Sequence, residues 1–393
     1  MSTETDTEVA AVLEAVRDIV PTLRENGQRA EENRWIPEDN IALLEKADVF
    51  RTAMPRRFGG LDFSVQDQAR VLSEIGRGCG STAWLAMVWV SSAGLAALFP
   101  DQAQEEVFGS GPVRISGGFT PSGQLKPADG GYVLDGSWRF NSGCRGADWN
   151  IAAAVLERPD GTHDEVVAIV PMAEFTIADD WHTSSASATG SSTTTAKGVF
   201  VPEHRVITFG DAILNTTPGR DAAVTEGRKY GLFSYIMAVC AAAYLGIARG
   251  AYELFLERVP GRGITYTDWS DQAKHPLTQI QTATAANKIA AADALQSEVL
   301  DLLQRRADAG EQPTDAEKAD VRGRSAYAIQ LAKEAVEIVY NAAGASVIQR
   351  NVPLQRFHRD AQGLALHGLL LLSTNLEVQG RVLLGLDPET PFL

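Results

Sequence analysis

Of the six histidines in the chain, His163, His182, His204, His275 and His358 lie in loops or polar segments, whereas His367 borders the uninterrupted apolar run 369–372. A polar group beside such a run needs a reason. An imidazole titrates near neutrality, so it can take the proton of a phenol, an amine or a carbon acid, or it can be a satisfied residue at the mouth of a helix bundle. Hydroxyls stand in two further places, Ser142 in Asn141-Ser142-Gly143 and Ser116 in Arg114-Ile115-Ser116. Each can bond a ligand or only its own surroundings. Arg262, near the end of a long helical pattern, reads by itself as an exposed helix-end arginine. Gly344 can let the backbone approach a ligand or act as a cap. Cys79, Cys144 and Cys240 are odd in number and widely spaced, so neither a metal site nor a disulfide framework is expected.

The elements that must position these groups fall into three textures. Residues 1–112 read as helical: Pro37 with Glu38-Asp39 opens one helix, Ser64 caps the next, and Gly59-Gly60 breaks the chain between them. Residues 113–225 turn to short alternating segments with Asp-Gly turns, including one at Pro159-Asp160-Gly161, which marks a β domain. From 226 to 393 the helical period returns. One stripe runs through Ala285, Ile289, Ala292, Leu295, Val299 and Leu302, another through Leu331, Ala335, Ile338 and Ala342, and Thr314 to Glu317 spells a capping box. Four long helices, about 229–258, 276–308, 314–343 and 361–384, are expected to form a bundle.

The formal net charge is -15, which leaves no electrostatic footprint for nucleic acid and repels an anionic membrane. Residues 78–100 and 231–248 carry no charge and reach spanning length, yet they are rich in Ala, Gly and Ser and lack basic flanks. Both read as buried helices. The acidic N-terminus does not resemble a signal peptide, so a cytoplasmic enzyme acting on a small molecule is expected.

Specific strings join this architecture. Pro55-Arg-Arg-Phe-Gly-Gly-Leu61, the segment from Gly136 to Trp149, Lys197 to Val206 and Gln355 to Ala361 together resemble the acyl-CoA dehydrogenase fold over almost the whole chain. The resemblance implies an α+β protein with an N-terminal helical domain, a central β-barrel or sandwich and a C-terminal four-helix bundle. Dehydrogenases of that fold place a glutamate nine residues after the arginine of an Arg-Asp pair, which here is Gly368, or on the first bundle helix, where 235–245 holds no acid. Without a carboxylate the thioester α-proton has no base.

Ser81-Thr-Ala-Trp84, Trp138-Arg-Phe-Asn-Ser-Gly-Cys144 and Gln355-Arg-Phe-His-Arg-Asp-Ala361 are instead similar to the oxygenase components of two-component, reduced-flavin monooxygenases, among them p-hydroxyphenylacetate, steroid-phenol and polyketide hydroxylases. This likeness implies reduced FMN or FAD from a separate NAD(P)H-flavin reductase, O2 as co-substrate, a C4a-hydroperoxyflavin and a homotetramer. It makes His367 the active-site histidine and Ser142 the serine near flavin N5. Trp84, Ser116, Trp138, Asn141, Arg262 and Gly344 fall on cofactor-binding positions, and Ser92 and Trp181 on the substrate pocket. The chain departs from relatives after Trp181, where Ser187 replaces an arginine, and at Val90-Ser91-Ser92, where phenol hydroxylases carry a histidine. An acyl-CoA dehydrogenase-type FAD protein and an inactive binding protein on the same fold are the alternatives.

Overall fold

The computed structural model describes residues 3–158, 161–221 and 228–393. The expected turn residues Pro159 and Asp160 and the expected boundary at 225/226 lie outside the described residues. Five helices come first: α1 (Thr3–Asn33), α2 (Glu38–Lys46), α3 (Val65–Gly78), α4 (Gly80–Ala96) and α5 (Asp101–Phe108). The start signals work as expected. Pro37 precedes α2, whose first turn holds Glu38 and Asp39, and the Ser64 hydroxyl accepts the Asp67 N–H at 3.1 Å. The uncharged α4 is buried on nearly all sides.

Seven strands follow: β1 (Ile115–Ala128), β2 (Gly131–Trp138), β3 (Trp149–Glu157), β4 (His163–Pro171), β5 (Thr176–Ile177), β6 (Thr194–Pro202) and β7 (Val206–Thr208). They form one sheet in the order β5-β6-β2-β1-β3-β4-β7. Every neighbouring pair is antiparallel except β1 with β3. Side chains alternate between two cores. Ile151, Ala153, Val167 and Ile169 join the helical core, while Ala152, Ala154, Val166 and Ala168 join a core of the β unit itself. Burial on both faces is why β3 and β4 read as apolar runs rather than as alternation.

After α6 (Phe209–Leu214) come α7 (Leu232–Arg258), α8 (Pro276–Asp308) and α9 (Asp315–Ala342), close to the expected spans. Thr314 and Glu317 complete the capping box. The α7 helix packs against α3, α4, α8, α9 and α10 (Pro353–Leu364). At its crossing with α3 the backbones meet at Gly76 and Gly246, where a Cβ on Gly246 would lie 2.9 Å from the Gly76 Cα. Among the described residues α7 is the one helix long and apolar enough to cross a membrane, and 94% of its most apolar window is buried inside the protein. The α8 stripe is buried at Ala285, Ile289, Ala292 and Val299, with Leu303 rather than Leu302 continuing it.

The fourth bundle helix differs from expectation. Instead of one helix over 361–384, α10 begins at Pro353 and ends at Leu364, and α11 covers Leu372–Leu383. Side chains take over the backbone partners in between. His367 Nδ1 accepts the Leu369 N–H at 3.3 Å, and Asn375 donates to the carbonyls of Leu369 and Leu371 at 2.9 and 2.8 Å. Arg322 in turn holds Asn375 at 2.8 Å. His367 therefore caps a short 3-10 turn between helices rather than sitting on a helix edge.

Candidate active site

Trp84, one turn into α4, is the hub of the site. Its indole N–H donates to Ser142 Oγ at 3.1 Å, and its ring lies against His367 with centroids 5.5 Å apart and planes inclined by 59°. Ser142 stands in a tight turn just after β2, where its N–H donates to the Phe140 carbonyl at 2.9 Å. The Ser142 hydroxyl also meets Ser191 Oγ at 2.7 Å. Three expected residues, from segments separated by up to 283 positions, thus converge.

The His367 ring is accessible, yet the protein around it desolvates it enough to lower its pKa from the ordinary imidazole value. Because Nδ1 accepts from Leu369, the hydrogen of the neutral ring sits on Nε2. The ring's free edge is a donor, not the lone pair that a base requires.

The loop before β6 is tied to α10. Asp360 accepts the Ala186 N–H at 2.7 Å and the Ser81 hydroxyl at 3.3 Å. Burial pushes the Asp360 carboxyl up, and the Ala186 N–H opposes that shift. Arg359 donates to Ser184 O and pairs with Glu31 at 2.7 Å. A Cβ on Gly363 would collide with Ser185. The Arg-Asp pair is therefore a clamp that sets the 184–191 loop, and with it Ser191, against the helix leading to His367.

Other expected site residues lie elsewhere. Trp138 is 3% exposed, in the β unit's own core, with its N–H on the Ala153 carbonyl at 2.8 Å and its ring against Phe175. It has no surface to offer a cofactor, because residues four apart across a strand end and turn face different layers. Ser116 and Asn141 are likewise buried, both donating to Asn150 Oδ1 at 2.8 Å, so they support the turn from beneath. Ser92 is buried on α4, roughly 12 Å along the axis from Trp84. Trp181 is half-buried, donates to Ala186 O at 3.1 Å and packs edge-on against Phe140 with centroids 5.7 Å apart.

Arg262 and Gly344 meet in a second cluster. Arg258 and Arg262 both donate to Ser346 Oγ, at 2.6 and 2.5 Å. Gly344 holds a left-handed φ of +79°, and a Cβ placed there would lie 3.8 Å from the Arg262 guanidinium. Burial, and then the neighbouring charge of Arg262, lower the pKa of Arg258. This cluster borders Val352, Pro353 and Leu354 at the N-terminal end of α10. His367 follows the other end, roughly 17 Å along the helix.

The family description "Acyl-CoA dehydrogenase, N-terminal domain" matches residues 6–108, and "Acyl-CoA dehydrogenase, C-terminal domain" matches 238–370. The oxygenase component of an FADH(2)-dependent resorcinol hydroxylase from Rhizobium sp. (strain MTP-10005) is 30% identical, over 96% of this chain and 95% of that one. The p-hydroxyphenylacetate 3-hydroxylase oxygenase component of Acinetobacter baumannii is 27% identical, over 98% and 91%. The structure of XiaF from Streptomyces sp. in complex with FADH2 and glycerol superposes with a TM-score of 0.91 at 29% identity, covering 100% of this chain and 99% of that one. The chain belongs to the oxygenase components of two-component flavin-dependent monooxygenases. Its cofactor is reduced flavin and its co-substrate O2, and a separate flavin reductase completes the system.

The oxygenase's residues fit that cofactor. Ser142 is half-buried with acceptor capacity to spare. The two guanidiniums share a hydroxyl, and neither is ion-paired among the described residues, a donor set suited to phosphate. The sequence offers no signal for a role of Ser191, Thr189, Phe140 or Arg258, and it marks Asp360 only as part of the Arg-Asp string. The run of hydroxyl residues after Trp181 is visible as a departure from relatives rather than as a site. Phe140 gave no signal at all: its left-handed φ of 58° and 65% exposure arise only from the turn it occupies.

Proposed function

We propose that this oxygenase hydroxylates a small, electron-rich aromatic substrate in the recess between Trp84, Ser142 and His367. The convergence of those three side chains carries the reading, and the resorcinol and p-hydroxyphenylacetate hydroxylases among its relatives suggest the substrate class. Bound reduced flavin supplies the two electrons that split O2, one oxygen going to substrate and one to water.

The protein's own residues hold, orient and exclude. Ser142 offers its hydroxyl to the cofactor, and Trp84 walls the recess. The buried α4 and α7 behind it keep water from the reacting atoms. His367, neutral because desolvation lowers its pKa, presents Nε2–H to a substrate oxygen and stabilises negative charge there. To act as a base it would first have to release Leu369 from Nδ1. Arg258 and Arg262 hold flavin phosphate. Their distance from His367 is accounted for if they serve a flavin shared with another protomer of a homotetramer, to which the exposed Leu277 and Ile280 on α8 also suit a partner surface. We place the enzyme in the cytoplasm, where its three free, buried cysteines stay reduced.

The test is turnover under ¹⁸O2 with a flavin reductase and a panel of phenols, indoles and aryl acids. A product carrying one labelled oxygen supports the proposal. Reduction of the enzyme's flavin by an acyl-CoA, with no labelled product from any aromatic, would replace it with dehydrogenase chemistry.

A further inference from the structure

Trp84, Ser142, Ser191 and Thr189 form one hydrogen-bonded line that ends on the Ala186 carbonyl. Its contacts run 3.1 Å from Trp84 Nε1 to Ser142 Oγ, 2.7 Å to Ser191 Oγ, 2.7 Å to Thr189 Oγ1 and 2.7 Å to Ala186 O. The last three are oxygen–oxygen contacts, and oxygens come that close only with a hydrogen between them. Three hydrogens are available, one per hydroxyl, and the carbonyl brings none. Thr189 must therefore donate to Ala186. That leaves Ser191 to donate to Thr189, and Ser142 to donate to Ser191. At the other end the indole N–H can only donate, so Ser142 accepts from Trp84. Ser142 has then used its one hydrogen and one of its two acceptor sites. A single acceptor site remains on a half-buried hydroxyl.

We infer that Ser191 and Thr189 are positioning residues that hold Ser142 as an acceptor only, and that this polarity selects reduced over oxidised flavin. The inference rests on the proposed contact between Ser142 and flavin N5. Reduced flavin carries a hydrogen on N5, whereas oxidised flavin carries a bare lone pair there. An acceptor-only oxygen pairs with the first and leaves the second facing another lone pair. Ser191 and Thr189 are 4% and 1% exposed, so neither reaches the cofactor itself and both act through Ser142. The Asp360 bond to Ala186 N–H fixes the residue at which the line ends. Such a site takes up the flavin that a reductase releases and lets the spent, oxidised flavin go.

Equilibrium binding of FMN and FAD tests this, with the oxidised forms titrated in air and the reduced forms under anaerobic conditions. The wild type should bind the reduced form more tightly. Ser191→Ala frees the Ser142 hydrogen to turn toward N5, so the ratio of oxidised to reduced Kd should fall roughly tenfold, mainly through tighter oxidised binding. Thr189→Val should move the ratio the same way, because Ser191 can then donate to Ser142. Thr189→Ser, which keeps the hydroxyl, should retain the wild-type ratio and shows that the loop tolerates substitution. Oxidised 5-deazaflavin, with C–H in place of the N5 lone pair, should bind the wild type more tightly than oxidised flavin does, and Ser191→Ala should erase that gain. If Ser142→Ala changes the ratio but Ser191→Ala and Thr189→Val do not, the line does not set the polarity and the inference fails alone. If Ser142→Ala changes neither affinity, the contact with the flavin is absent, and the assigned role of Ser142 fails with the inference.

Discussion

At its N-terminal end α10 borders two guanidinium groups that share one serine hydroxyl, whereas its C-terminal end leads within three residues to a histidine set against an indole and a line of neutral hydroxyls. The contrast separates two jobs. Unpaired cations grip an anion strongly and tolerate solvent. Near reacting atoms, a mobile charge with its water would bring stray protons, so directional neutral groups serve better. His367 suits that second setting because desolvation keeps its ring neutral.

The comparison can be broken most sharply at His367. His367→Ala should slow oxygen transfer to substrate by about 10² to 10³-fold while leaving reduced-flavin affinity nearly unchanged. His367→Asn should recover most of that loss, since an amide can cap Leu369 with its oxygen and still donate from its nitrogen. Single-turnover product yields on the two variants decide the matter: equal impairment would make the histidine a base. At the other end, Arg258→Ala with Arg262→Ala should weaken flavin binding by about 10- to 100-fold, with near-normal transfer once flavin is saturating. Rapid-quench rates at high flavin would contradict the division of labour if transfer itself collapsed.

A smaller effect is expected at Ser142. Ser142→Ala should lose about 1 to 3 kcal/mol of hydrogen bonding, and oxygen use should diverge from product with hydrogen peroxide making up the difference. A peroxide assay run beside product analysis measures it. For pH, a lowered imidazole pKa means that the folded ring takes its proton only below the ordinary value. Transfer should therefore stay level from about pH 8 down to about 6.5 and change only beneath it. The smallest effect tests the relocation of Trp138: Trp138→Phe should cost about 1 kcal/mol of stability through the lost bond to Ala153 and leave flavin affinity as it was. Denaturant melts and flavin titrations on the same sample would expose any cofactor role.

Much of the frame was legible because it depends on local patterns. Ser64 and Thr314 cap helices where their neighbours say they should, and the uncharged stretches that became α4 and α7 had to be buried somewhere. His367 stood out for the same kind of reason, a polar group beside an apolar run. The likeness to relatives added Trp84 and Ser142, which the fold does bring into contact beside His367, but it also grouped Trp138, Ser116 and Asn141 with them. Trp138 lies in the β unit's own core and Ser116 and Asn141 are buried against Asn150, because strand pairing decides which face of the sheet each residue joins, and a short motif does not state that pairing.

What the sequence by itself determined is the order of helices, sheet and helices, the depth at which α4 and α7 lie, and the residue types available for chemistry. Periodicity and capping act over a few residues, and the chain states them locally. Tertiary structure alone decided that the last bundle helix breaks between Leu364 and Leu372, because Asn375 bonds the carbonyls of Leu369 and Leu371 and Arg322, from another helix, holds the Asn375 side chain in place. It also decided which way the hydroxyls point. The direction of a hydrogen bond depends on the hydrogens its neighbours have already committed, and for Ser142 those neighbours, Trp84, Ser191, Thr189 and the Ala186 carbonyl, come together only when α4, the turn after β2 and the loop clamped by Asp360 close on one another.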